Sequence, residues 1–289
     1  MNQYLNQKPT LKRKREEDAT NIMHELFLTA TIQNDDIVRM VRILQGYCGM
    51  KPQQSLYRRL IWEGPRLRAG LKGVDPSIIK RQPPQKIQLW GSLHEQLVRQ
   101  SYILHVIYEL PRESFGKSTE QDVAQMGPDG QPKTSTFALD QQPGTLRWND
   151  IPDPEGKRQV NTRPMLQIEN EKNLCFSMQV MQYRFVRQII QECYRFINGN
   201  VIFELSRYLQ LPEGKEALSE PLPTFETLTP FDTENKWILT ISVRVVNGKD
   251  LDLVQQGIGE LMTVKNEFDG CCHFHVVPRL TLDTRTKMA

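Results

Sequence analysis

QYRFVRQIIQECYRFINGNVIFELSRYLQL, residues 182–211, decides the fold. Asn198-Gly199 stands between two long arms rich in Ile, Val, Phe and Tyr. A type I′ turn needs positive φ at both central residues, and Asn-Gly adopts it at little cost, so a hairpin is expected here. In the second arm Val201, Phe203, Leu205 and Leu209 share one face, and Glu204, Ser206 and Gln210 share the other. That is the period of two of a strand. In the first arm Tyr183, Val186, Ile190 and Tyr194 would also suit a helix. Its β-branched and aromatic content, and the turn that follows, favour a strand. Both arms are much longer than the usual strand of roughly five or six residues. Long paired strands with apolar residues on both faces point to a large curved sheet or a barrel.

Working outward, Met23–Ile32, Ser55–Trp62, Tyr102–Leu110, Thr145–Ile151, Gln159–Glu169, Trp237–Val246 and Cys272–Leu280 read as further strands. A helix follows the first of them. Asn34 is its expected N-cap, Asp35 and Asp36 sit in the positive first turn, Gly46 closes it, and Ile37, Met40, Val41 and Leu44 form its buried stripe. Asp250 opens a second helix with Leu251, Val254, Ile258, Leu261 and Met262 on one face. A short third helix is expected after a cap at Asn170, with Leu174, Met178 and Met181 facing in. Leu89–Gln100 reads either as a short helix or as a bent lead-in. The fold class is therefore mainly β (α+β), a closed antiparallel β-barrel with about three flanking helices. Closure also removes exposed sheet edges.

The 289 residues suffice for a single barrel domain over 22–289, preceded by a polar, disordered tail over 1–21. Two stretches read as flexible insertions. Residues 64–85 hold four prolines, three glycines and five basic residues against one acid, and 111–144 are poor in apolar residues. A net charge of +3, from 37 basic and 34 acidic residues, makes no strong electrostatic case for nucleic acid. The basic loop at 64–85 lacks an aromatic residue on which bases could stack. Five cysteines argue against a disulfide framework, and no apolar run approaches the roughly 18 residues of a membrane span. Lys12-Arg13-Lys14-Arg15 suits a nuclear import receptor, or is a solvated charge run.

Motifs that carry chemistry fail one by one. Gly116-Lys117-Ser118-Thr119 has Pro111 where a phosphate-binding loop needs its first glycine. Cys271, His273 and His275 could share a strand face, but no second pair completes a metal site, so no metal and no cofactor are expected. Cys48, Cys175 and Cys193 read as core. Glu169-Asn170-Glu171-Lys172 approximates the Glu-x-Glu-x-Lys strand of barrel enzymes that cleave triphosphates, whose acids hold a divalent cation in the tunnel. Here the lysine stands one place early. The inward positions are expected to be mainly aliphatic or aromatic, and no catalytic residue is assigned.

Several segments together resemble one family. Met23-His24-Glu25-Leu26 through Tyr47-Cys48, Thr145-Leu146-Arg147-Trp148, Asn173-Leu174 through Met181, the Tyr183–Leu211 hairpin and the Trp237–Leu280 end are similar to subunit 18 of the Mediator complex in its fungal form. The resemblance implies a closed barrel related to the triphosphate tunnel fold without its catalytic acids. It further implies a non-enzymatic subunit of the Mediator head module in the nucleus, acting in RNA polymerase II transcription. Its expected partners are subunit 20, as a heterodimer, and a C-terminal helix of subunit 8, with no membrane and no small-molecule substrate. The competing reading is a tunnel-type phosphohydrolase or an RNA 5′-end binding protein. A partner surface is expected on strands apolar on both faces, 55–62, 183–196 and 237–246, unless helices of the same chain cover them.

Overall fold

The fold is seen in a computed structural model that describes residues 22–116, 138–154, 159–214, 218 and 222–288. The strands are β1 (Met23–Ile32), β2 (Gln53–Glu63), β3 (Ile103–Leu110), β4 (Gly144–Asn149), β5 (Asn161–Glu171), β6 (Arg184–Asn198), β7 (Val201–Gln210), β8 (Thr229–Pro230) and β9 (Trp237–Val245). They form one antiparallel sheet in the order β6-β2-β3-β4-β5-β1-β9-β7-β8, and a β6–β7 pairing closes eight of them into a barrel. The two-residue β8 continues the β7 ladder beyond the end of β9.

The hairpin that anchors the barrel is the one expected, but its turn differs. Asn198 pairs with Val201, so the loop residues are Gly199 and Asn200, one place later than read from the sequence. Of these only Gly199 has positive φ, at 59°. Glycine at the first central position is the type II′ solution, which suits the strand twist as well as I′ does. The face assignment of the second arm holds: Val201, Phe203, Leu205 and Leu209 are all buried.

Five α-helices accompany the barrel among the described residues: α1 (Ile37–Cys48), α2 (Pro76–Lys80), α3 (Pro84–Leu97), α4 (Leu174–Val180) and α5 (Leu251–Glu267). Three were anticipated. The other two occupy a stretch expected to be loop, residues 64–85, and the ambiguous stretch after it. There Asp75 accepts from the Ser77 N–H at 2.8 Å and a proline starts each helix. Punctuation that looked like breakage is helix initiation. Val74, Ile78, Trp90, Leu93 and Leu97 then bury against Leu60, Trp62, Leu104 and Trp148 of the barrel wall. On the other side α1 and α5 place Met40, Leu44, Val254, Leu261 and Val264 against Leu26, Leu28, Leu239, Ile241 and Phe203.

The caps also differ from expectation. Asn34 lies in a 3-10 turn and its side chain accepts from the indole N–H of Trp237 at 3.1 Å, while Asp36 takes the N-cap position of α1 without a side-chain bond. Gly49, at φ 62°, ends that helix rather than Gly46. Asn170 does not cap α4. Asp140 does so from a distance in sequence, accepting from the backbone N–H groups of Cys175 at 2.8 Å and Phe176 at 3.0 Å. Residues 138–144, assigned to a flexible insertion, thus contain a buried carboxylate that holds a helix end. Burial pushes the Asp140 carboxyl up from its ordinary range while those two N–H groups oppose the shift.

Cys272–Leu280 is not a strand. β5 pairs with β1 only as far as Phe27, which leaves the next edge of β1 open. The chain's end fills it with one bridge: Thr29 donates to the His275 carbonyl at 3.2 Å and His275 donates back at 2.9 Å. Phe274 is buried beside it.

Candidate functional site

Directly opposed residues of an antiparallel pair project to the same side, so one inward residue fixes its neighbours. Leu26, Leu28 and Ala30 of β1 pack outward under α1 and α5, so Glu25, Phe27 and Thr29 point into the lumen. Glu25 opposes Arg163 on β5 and Arg244 on β9. Gln167 opposes Arg147, which opposes His105. Gln191 opposes Tyr57 and Tyr208, and Glu204 opposes Arg195 and Thr240. Arg59 lies on the same inner face of β2 as Tyr57. The lumen is therefore polar and charged, which overturns the expectation of aliphatic and aromatic lining. The reason is topological. The helices lie outside, so the apolar set of each strand turns outward to meet them, and the alternate set is left for the interior.

Glu25 is the centre of this interior. Arg147 Nη2 reaches both its oxygens at 2.9 Å, and Arg163 reaches Oε2 with Nε at 2.8 Å and Nη2 at 2.6 Å. Burial alone would raise its carboxyl, but the charges of Arg147, Arg163 and Arg244 outweigh it and hold it at about 2. Burial lowers Arg163, with Arg147 and Arg59 pushing the same way and Glu25 opposing, and its guanidinium lies 4.7 Å from the centroid of the Phe27 ring. Burial, then the charges of Arg59, Arg147 and Arg163, drive His105 down to about 3, so its imidazole is neutral at physiological pH. Arg59 Nη1 donates to Gln191 Oε1 at 2.6 Å, and Gln191 Nε2 donates onward to Ser206 Oγ at 2.8 Å. Among the described inward residues Arg59, Arg147, Arg163, Arg195 and Arg244 are not exposed, and the same face carries three unexposed carboxylates: Glu25, Glu204 and, at the end of β2, Glu63, which is paired with Arg66 and Arg184.

The acid pair of the triphosphate motif does not converge in this lumen: Glu169 falls on the inner face of β5 but Glu171 does not. β5 runs on through Glu171, but Asn170 takes φ 51° and breaks the alternation. Glu171 turns outward and accepts from Lys86 Nζ at 3.0 Å and Gln82 Nε2 at 3.3 Å, while Glu169 is exposed. Cys271 is exposed, and His275 is placed by its backbone bridge to Thr29. Among the described residues no three His, Cys, Asp or Glu side chains are grouped so as to hold a metal ion. Burial raises the thiols of Cys175 and Cys193, in keeping with core positions. Lys12, Arg13, Lys14 and Arg15 lie outside the described residues, as do Lys117, Ser118 and Thr119.

Sequence reasoning missed the arginines and Glu25, although a signal was present. Arg147 and Arg244 are each a single charge between apolar neighbours in a strand, TLRW and SVRV, and Glu25 is a single acid opening an apolar run, HELF. The apolar outer faces of 55–62, 183–196 and 237–246 are packed within the chain. Leu60 and Trp62 lie beneath α3, Phe196 and Leu239 belong to the core under α1 and α5, and Ile190 packs with Leu211, Leu222 and Leu228.

Comparison with known proteins places this barrel. The family model described as Med18 protein matches residues 24–285. The Aspergillus niger protein named Mediator of RNA polymerase II transcription subunit 18 is 25% identical over 275 residues, covering 92% of this chain and 100% of that protein. The protein of the same name from Yarrowia lipolytica is 20% identical over 266 residues with the same coverage. Among solved structures, a chain of the Schizosaccharomyces pombe Mediator head module superposes with a TM-score of 0.57 at 13% identity, covering 88% of this chain and 98% of that one.

Proposed function

The chain belongs to the Med18 protein family, and from that premise we propose that it is a structural subunit of the Mediator complex serving RNA polymerase II transcription. The observation that carries this is extent. The family match runs from the second residue of β1 to the last segment against the barrel, so it takes in the whole closed sheet and its helices. The finer reading is a non-enzymatic, nuclear subunit of the head module that pairs with subunit 20 and holds a C-terminal helix of subunit 8. Two observations support a scaffold rather than a tunnel enzyme. The Glu169 and Glu171 carboxylates diverge, and the centre of the lumen is occupied by an acid already bonded to two arginines.

The test is co-purification of the full chain from nuclear extract at moderate salt, followed by mass spectrometry. Subunits 20 and 8 are the expected recoveries. Recovery of no Mediator subunit refutes the reading. Alongside it, manganese-dependent phosphate release from a triphosphate is expected to be absent. Its presence, with loss on joint Glu169→Ala and Glu171→Ala substitution, would restore the phosphohydrolase reading.

A further inference from the structure

We propose that a pocket at the rim of the barrel receives the side chain of an arginine on a partner protein. The proposal extends the scaffold reading by giving the chemistry of one contact, and it rests on that reading only in assigning the arginine to another chain. The pocket lies where the start of β2 meets the end of β3, beside the connections that follow β3 and β7. Its volume is about 580 Å³, within the range of ligand sites. Leu56, Leu110 and Phe225 supply apolar walls, and Glu109, Glu113 and Glu192 supply carboxylates. The first support is construction. Helices cover two apolar sectors of the outer wall, but the sector around Ile190 and Leu209 is covered by irregular chain at 111–116 and 222–228. These two segments fix each other. The guanidinium of Arg112 lies 4.7 Å from the centroid of the Phe225 ring, and Phe115 meets that ring edge-on at 5.4 Å. The Gly116 N–H donates to the carbonyls of Leu222 at 3.1 Å and Pro223 at 3.2 Å. The walls are thus held in place beforehand, which lowers the cost of docking.

The second support is charge. Three carboxylates line the pocket against one guanidinium, that of Arg112, which lies over Phe225. Arg207 donates to Glu192 Oε2 at 2.6 Å and offsets a second carboxylate. One negative charge is left over, which fits a ligand with a single positive charge. The third support is hydrogen bonding. Glu192 is 8% exposed, and both contacts from Arg207 go to its Oε2, so its Oε1 has no donor among the described residues. A carboxylate oxygen buried to that degree favours a ligand donor. Glu109 takes one donor, the Ser55 hydroxyl at 2.6 Å, on Oε1. Separated acceptors above an apolar wall suit a guanidinium. Its planar fork donates in several directions, and its aliphatic stem packs on Leu56 and Leu110.

Methyl NMR on the full chain, read at Leu56 and Leu110, tests this. The probes are Nα-acetyl-arginine amide, its neutral isostere Nα-acetyl-citrulline amide, and spermidine. Saturable shifts at both leucines are expected with the arginine probe, at a dissociation constant on the order of 1 mM for a fragment of this size. Citrulline keeps the shape without the charge and is expected to bind about tenfold more weakly, the equivalent of one charge-assisted contact. Glu192→Gln is expected to weaken the arginine probe by about the same tenfold, and the more exposed Glu109→Gln by about threefold. Glu95→Gln, on the exposed side of α3, is expected to bind like the unsubstituted chain. The proposal is wrong if the arginine probe gives no saturable shift, or if citrulline or spermidine binds as tightly. It is equally wrong if either pocket variant, folded by circular dichroism, keeps full affinity, or if Glu95→Gln alone loses it. Co-purification reads assembly without reference to this pocket, so the two readings fail separately.

Discussion

Glu25→Gln removes the one carboxylate that three lumen arginines share, with little change of shape. The side chain is 7% exposed, so water screens little of the interaction. Its carboxyl is held at about 2 against an ordinary 4.5. At about 1.4 kcal/mol per pH unit, that depression corresponds to on the order of 3 kcal/mol of folding stability. The sign follows from proton uptake. Between about pH 4.5 and pH 2 the unfolded chain binds a proton that the folded chain refuses, so stability falls as pH falls through that window and is fully present above it. Glutamine mimics the protonated acid, so the penalty should be about 3 kcal/mol at pH 7 and roughly half that at pH 3. The protein carries its own reporter, because Trp62, Trp90, Trp148 and Trp237 are all buried. Urea unfolding followed by tryptophan fluorescence, at pH 7 and pH 3, measures both values. A variant within about 0.5 kcal/mol of the unsubstituted chain at pH 7, or a penalty that does not shrink at pH 3, refutes the reading of Glu25 as the electrostatic centre of the lumen.

His105→Gln should flatten the stability profile above that window, between about pH 6.5 and pH 5. Burial, then Arg59, Arg147 and Arg163, hold the folded imidazole down at about 3, so only the unfolded chain takes up the proton there and the unsubstituted protein loses on the order of 1–2 kcal/mol over that interval; an unchanged pH slope in the variant counts against it. Asp140→Ala should cost about 1–2 kcal/mol by urea unfolding, since two N–H groups of α4 lose their acceptor, and Asp140→Asn should cost less because its remaining oxygen can still accept.

Strands were far more legible than helices. Apart from Cys272–Leu280, the expected and observed strands agree within about two residues, as with Met23–Ile32 and Trp237–Val245. The hairpin was legible for the same reason, although its turn slipped by one residue because Asn198-Gly199 and Gly199-Asn200 are both acceptable turn pairs. What could not be read was set by partners distant in sequence. The cap of α4 comes from Asp140, more than thirty residues upstream of Cys175. The prolines at 76 and 84 start helices only because Ile78 and Trp90 have a barrel wall to bury against. Cys272–Leu280 has strand composition but makes a single bridge, at Thr29, with the open edge of β1.

The lumen shows the deepest limit of reading by period. Alternation separates two faces of a strand without saying which of them is inside, and an intuition drawn from sandwiches assigns the apolar face to the interior. In a barrel wrapped by its own helices that assignment inverts. The dry layer lies between strands and helices, and the charged side chains line the axis. Once the helices are placed, Glu25, Arg147, Arg163 and Arg244 have nowhere to project except toward one another. The same inversion bears on how the molecule meets other proteins. The apolar strand faces that looked available at 55–62, 183–196 and 237–246 are spent on the chain's own core. The large apolar side chains that remain exposed sit mostly on helices and connections: Val38 on α1, Ile87 on α3, Phe176 on α4, Leu251 and Leu253 on α5, with Val246 and Leu280 beside them. A subunit built this way separates its two surfaces by chemistry, charge within and hydrocarbon at the periphery, so substitutions in the lumen and on the outer helices should be separable in their effects.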